Sequence, residues 1–124
     1  MMKKYFLMLV MMFTMSVYSF AEDNNATEIQ RIEKFTVNVN TKKLGQYLEL
    51  SKDQMESVEV IEEELSRDLM FAAVECNDNN RVAVTKNVLN KNLQHMSYIL
   101  DREQYKKYVK VLNMTVINRE LLGK

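Results

Sequence analysis

The chain has 124 residues, with 17 basic and 17 acidic side chains, 47% apolar residues, ten Met, one Cys, one His, two Gly and no Pro. That length suits one small domain, and the balanced charge excludes a basic protein that wraps a polyanion, so no nucleic-acid partner is expected. A single Cys and a single His exclude a zinc finger, a disulfide framework and a Cys/His-rich metal site, and no cofactor is expected.

Residues 1–21 carry Lys3 and Lys4, then an apolar stretch from Tyr5 to Phe13, then Ser19, Phe20 and Ala21 before acidic Glu22 and Asp23. This is the pattern of a secretory signal peptide, and the small residues one and three positions before the cut favour cleavage after Ala21 over a retained anchor. The expected mature chain, residues 22–124, is a single helical domain without stable membrane insertion. Six methionines and two lysines leave with the leader, so its net charge is −2. Cys76 lies far from the leader and reads either as a small buried apolar residue or as half of an intermolecular disulfide.

Without proline, nothing in residues 22–124 forces a helix to break. The first segment is two-sided: Phe35 to Asn40 alternates apolar and polar residues as a strand does, yet Ile29, Ile32, Phe35 and Val39 also fit helical spacing. A lone strand would have no hydrogen-bond partner, so a helix is expected over 28–48 with an irregularity near Val37 to Thr41. Met55, Val58, Ile61, Leu65, Leu69, Ala72 and Cys76 draw one stripe along a helix over 52–76. Asn77 to Asn80 then favour a turn. Val82, Thr85, Leu89, Leu93, Met96 and Leu100 predict a second long helix over 81–99, running back against the first. Tyr105, Tyr108, Leu112, Thr115 and Val116 share a face of a last helix over 102–121. The expected fold is all-α, a long antiparallel helical hairpin with flanking helices.

Two junctions match in chemical type fifty residues apart: Leu50-Ser51-Lys52-Asp53-Gln54-Met55 and Leu100-Asp101-Arg102-Glu103-Gln104-Tyr105. Ser51 and Asp101 are good N-cap residues, and Gln54 and Gln104 fall three positions later, where an amide reaches back to the cap N–H. Leu50 and Leu100 are placed to pack on Met55 and Tyr105 as hydrophobic staples. Each cap is worth about 1 kcal/mol. The motif has a structural explanation, and no catalytic role follows from it.

A leucine, a capping residue, two variable positions and a glutamine, occurring twice in a small secreted helical chain, resembles the LTXXQ motif of Spy/CpxP-like periplasmic proteins. The resemblance covers about Thr41 to Leu112, with Ser51 and Asp101 in place of the family's threonines. It implies a hairpin-based homodimer curved into a cradle in the periplasm of a Gram-negative bacterium. Members of the family act as ATP-independent chaperones, as envelope-stress regulators that interact with sensor kinases, or as metal-responsive proteins.

Charge is segregated beneath the balanced total. Residues 49–78 hold ten acidic and two basic side chains, and residues 81–124 hold nine basic and three acidic. These are either solvated faces or complementary helices. Met70, Phe71 and Val74 lie partly off the main stripe, and Tyr105 and Tyr108 sit beside Lys106, Lys107 and Lys110. Together they form a candidate surface for an unfolded envelope protein or for one specific envelope partner, with core or dimer packing as the competing role of each residue. Glu59 and Glu63 share a helix face, but no His, nucleophile or phosphate-binding glycine loop accompanies them, so no enzyme is expected. His95 is alone, and a metal site needs several ligands.

Overall fold

A computed structural model describes residues 26–123. They form helices α1 (Ala26–Phe35), α2 (Thr41–Leu48), α3 (Lys52–Glu75), α4 (Asp78–Ile99) and α5 (Arg102–Arg119), with no strand among the described residues. The all-α expectation holds. The expected leader lies outside the described residues, and among those described no helix is long and apolar enough to cross a membrane.

Helix starts follow from side chains that compete for the first free N–H groups. Asn40, Ser51, Asn77 and Asp101 each accept from the backbone N–H three residues on, with Lys43, Gln54, Asn80 and Gln104 as donors. Asn40 corrects the single helix expected over 28–48. It opens α2 afresh, while residues 36–40 belong to no helix between Phe35 and Thr41. The apolar alternation carries the reason: Phe35 and Val37 are buried, and the Val37 carbonyl accepts from Ser66 Oγ of α3 at 2.6 Å. The non-helical segment thus finds a partner in a side chain rather than in a second strand.

The α3–α4 connection is also tighter than expected. Asn77 is an N-cap rather than the start of a four-residue turn, so α4 begins three residues earlier than expected, at Asp78. Arg81 anchors it, donating to the carbonyls of Ala72 (2.9 Å) and Cys76 at the end of α3 and pairing with Asp78 at 2.6 Å. The guanidinium also holds the Asp78 carboxyl below its ordinary value. At their other ends α2 and α5 stop on left-handed residues, Glu49 (φ 58°) and Glu120 (φ 54°), whose following leucines donate back to Gly45 and Val116. That is the Schellman pattern, built here without glycine.

The contacts between α3 and α4 run in opposite order along the two helices. Gln54 meets Ile99, Glu62 meets Asn92, Asp68 meets Lys91, and Ala72 meets Arg81. The core between them is Val58, Leu65, Leu69 and Ala72 from α3, Leu89 and Met96 from α4, and Tyr108, Val111 and Leu112 from α5. Each large apolar side chain removed from water contributes about 1.5–3 kcal/mol. Leu44 and Leu48 of α2 close this core, and Gly45 lets α2 approach α3, because a Cβ there would overlap the Met55 sulfur. The inward series differs from the expected stripes at Met55, Ile61 and Cys76 of the first, which are only half-buried, and at exposed Val82 and half-buried Leu93 of the second. Met55, Cys76 and Val82 lie at or near helix ends, and beside Ile61 and Leu93 the buried positions are Glu62 and Asn92.

Candidate functional site

The two matched junctions meet in space. Gln54 accepts from the Ser51 N–H at 2.9 Å, and its Nε2 donates to Ile99 O (3.0 Å) and to Gln104 Oε1 (2.8 Å). Gln104 accepts from the Asp101 N–H at 2.9 Å, and its Nε2 reaches Leu48 O and Glu49 O, both at 3.2 Å, and Gln54 Oε1 at 3.3 Å. Each glutamine therefore closes the start of its own helix and the end of the helix that leads into the other motif. Four helix ends, those of α2 and α4 and the starts of α3 and α5, are held by two amides. Only an amide serves, since a carboxylate accepts but has no hydrogen to give the far carbonyl.

A second polar centre lies deeper, where Glu62, Asn92 and Tyr108 join α3, α4 and α5. The Tyr108 hydroxyl is 2.7 Å from Glu62 Oε1 and 2.6 Å from Asn92 Oδ1, and Asn92 Nδ2 donates to Glu62 Oε1 at 3.3 Å. Two short oxygen–oxygen contacts at one hydroxyl require two protons, and tyrosine carries one. With the Asn92 amide oriented as it stands, the set closes when Glu62 is a neutral acid. Glu62 then donates to Tyr108, Tyr108 donates to Asn92 Oδ1, and Asn92 donates back to Glu62. Burial, opposed by the hydrogen bonds of Tyr108 and Asn92, pushes the Glu62 carboxyl from 4.5 up to about 7. Burial and the neighbouring Glu62 charge hold Tyr108 well above its ordinary value. Glu62 Oε2 is buried without a hydrogen-bond partner.

The complementary-helix reading of the charges is realised locally. Lys91 of α4 lies 2.9 Å from Asp68 and 3.5 Å from Glu64, and His95 Nδ1 is 3.2 Å from Glu64 Oε1. The Asp68 hydrogen bond raises the Lys91 ammonium above its ordinary value. Among the described residues no three His, Cys, Asp or Glu side chains are placed to hold a metal ion. Cys76 is a free thiol at the α3–α4 turn.

The residues expected on a binding surface divide. Phe71 and Val74 are exposed on α3 at 54% and 45%, with Met70 half-buried beside them. Lys106 and Lys110 are exposed on α5, whereas Lys107 is half-buried with its ammonium 5.4 Å from the centre of the Tyr47 ring, a cation–π distance. Tyr105 packs against the core. Tyr108 corrects the expectation: it is fully buried, because it falls on the inward face with Gln104, Val111 and Thr115 and its hydroxyl has partners there. Val60, Tyr98 and Ile117 are exposed apolar or aromatic positions that the surface reading did not include. The signal for Val60 was available, since it lies eleven residues, about three turns, before Phe71 and so on the same helix face. Between α4 and α5 an apolar groove of about 220 Å³ opens along Leu89, Leu93, Leu112, Val116 and Leu122. No protein-family model, characterised protein or solved structure matches the chain.

Proposed function

We propose that the chain is a periplasmic, ATP-independent, non-enzymatic chaperone-like protein of the Spy/CpxP type. In this reading it is an antiparallel helical hairpin that pairs as a homodimer and loosely holds unfolded or stress-exposed envelope proteins. The observation that carries the reading is the outer face of α3, where Val60, Phe71 and Val74 are 65%, 54% and 45% exposed. Glu63 and Arg67, both exposed, interrupt that face. Apolar contacts separated by charges give area to a non-native chain without the shape match that one partner demands. The clasp of Gln54 and Gln104 supports the family resemblance, since it gives the paired motifs one shared structural role.

The test is light scattering of a chemically denatured client without ATP. Suppression of aggregation at up to equimolar chain is expected, and F71S/V74S should weaken it while helical content by circular dichroism stays unchanged. No suppression over that range overturns the reading. A second reading, docking on one envelope partner such as a sensor kinase, is favoured by Lys106 and Lys110, which place exposed positive charge on α5. Salt-sensitive capture of a single acidic partner, with no effect on denatured clients, would select it.

A further inference from the structure

The contacts of the Glu62 cluster cannot all be hydrogen bonds around a carboxylate, whichever way the Asn92 amide faces. As the amide stands, the Tyr108 hydroxyl lies 2.7 Å from Glu62 Oε1 and 2.6 Å from Asn92 Oδ1, and the second proton has to come from the carboxyl. With the amide turned over, Asn92 donates to Tyr108 and Tyr108 donates to Glu62. An amide oxygen then stands 3.3 Å from Glu62 Oε1, and two acceptors face each other unless the carboxyl carries a proton. Glu62 is 2% exposed, forms no ion pair, and its Oε2 has no partner. Ionised, it is a buried charge that nothing neutralises, with one bond of the set missing.

The groups that face it do not offset that charge. Tyr108 comes from α5 with Tyr105 nearby, and Asn92 comes from α4, where Lys91 and His95 pair instead with Glu64 and Asp68. Glu59, Glu63 and Arg67 of α3 itself line the open cleft outside, opposite uncharged Asn38 and Thr41.

A weakened tie yields where the fold has least else to hold it. α3 and α4 keep one another through Val58, Leu65, Leu69, Leu89 and Met96, through Lys91 with Asp68, and through Arg81 with Ala72, all without Glu62. α5 has less in reserve. Between Gln104 and Arg119, the Tyr108 hydroxyl makes its only hydrogen bonds to α3 or α4 among the described residues. The seam of α5 with α4 is already parted as the groove of about 220 Å³ along Leu89, Leu93, Leu112 and Val116. We propose that Glu62 is a proton-operated latch on α5: protonated, it holds Tyr108 and the middle of α5 on the α3–α4 pair, and ionised, it lets that part of α5 swing out and bare the apolar seam. The latch stands apart from the chaperone reading, because it works within the chain alone.

Burial holds the folded carboxyl at about 7 against an ordinary 4.5, so the closed form keeps its proton in mild acid and loses it as pH rises through neutrality. The ratio of open to closed chains then rises about tenfold from pH 6 to pH 8.

Hydrogen exchange of the purified chain, corrected for the intrinsic rate at each pH and repeated in low urea, tests this on peptides from α3 and α5. Protection of α5 should fall about tenfold from pH 6 to pH 8. At pH 8 it should lie below that of α3 and respond less to urea, as an opening smaller than the whole domain does. Glu62→Gln keeps a donor for Tyr108 and carries no charge, so its α5 protection should be the same at both pH values. An α5 whose protection ignores pH in the parent overturns the latch, and so does a Glu62→Gln chain with the parent's pH dependence. Equal protection of α3 and α5 with the same urea response also overturns it, since the whole domain would then open at once. If the variant fails to fold, the parent's pH and urea responses decide alone.

Discussion

The glutamine clasp and the Glu62 cluster both bind α3 to α5, and they differ in where their hydrogen bonds end. At the clasp, Gln54 and Gln104 finish largely on main-chain groups, the N–H of Ser51 and Asp101 and the carbonyls of Leu48, Glu49 and Ile99. No member of that set titrates in the physiological range. In the Glu62 cluster every bond runs between side chains, and one of them is an acid whose proton is needed to complete the set. A tie to the backbone is therefore constant in pH, whereas a tie between buried side chains makes stability depend on a single proton.

The largest test of this contrast is Gln104→Glu. It removes the donor to two helix-end carbonyls and leaves an unpaired charge in a buried position, which should cost about 3–5 kcal/mol in urea unfolding at neutral pH. Gln54→Glu should cost clearly less, because Gln54 is partly exposed. Equal losses would break the link between burial and cost at the clasp.

Glu62→Gln comes next, and its sign depends on pH. The folded carboxyl sits at about 7 against an ordinary 4.5, so the native state keeps a proton that the unfolded chain gives up. That stabilisation is fully present below pH 4.5 and is lost as pH rises through 7. The variant should thus be neutral in acid and more stable than the parent by about 3 kcal/mol above neutrality. Urea midpoints of both chains at several pH values read the difference, and a flat difference would remove the proton from the cluster.

Tyr108→Phe leaves Asn92 Oδ1 without its hydroxyl donor and should cost about 2 kcal/mol. Urea unfolding below pH 5, where Glu62 is protonated in both chains, reads the loss. The smallest effect concerns the helix ends held by the clasp: α2 leaves through left-handed Glu49, while α4 leaves through extended Leu100. Glu49→Gly should stabilise by about 1 kcal/mol by relieving the Cβ clash, and a loss instead would show that the Glu49 side chain contributes. The thermal midpoint reads it.

The clasp was half legible in the sequence. The repeated Leu, cap and Gln give the two capping boxes, because capping is local and three residues decide it. That the two glutamines touch depends on how α3 and α5 dock, and spacing along the chain carries no record of it. The Glu62 cluster was hidden for a different reason. An apolar count steps from Val58 to Ile61 and from Leu89 to Leu93, passing over Glu62 and Asn92, although Val58, Glu62, Leu65, Leu69 and Ala72 keep a regular 4, 3, 4, 3 spacing. The geometric period ran through the polar residues, and hydrophobicity drew attention one position away. Tyr108 was visible on the inward face but was also placed with the neighbouring lysines, and burial settles between the two. The break before α2 was signalled by Phe35 to Asn40, whose alternation marks a non-helical segment with Phe35 and Val37 turned inward and the Ser66 hydroxyl as its anchor.

Arg119 near the end of α5 lies within 3.4 Å of Glu33 O and 3.3 Å of Thr36 O at the end of α1, across 86 and 83 residues of chain. Arg81 ties α3 to α4 across only nine residues. Closing the longer loop costs about 2 kcal/mol more chain entropy than closing the shorter one. During folding α3 and α4 therefore gain contacts before α1 and α5 meet, while α1 has its own tie to α3, where Arg31 donates to Ala73 O at 2.8 Å. The Arg119 contact makes the last turn of α1 answer to the end of α5: damage near residue 119 would first be felt there, while the Arg31 bond to α3 and the α3–α4 pair stayed closed.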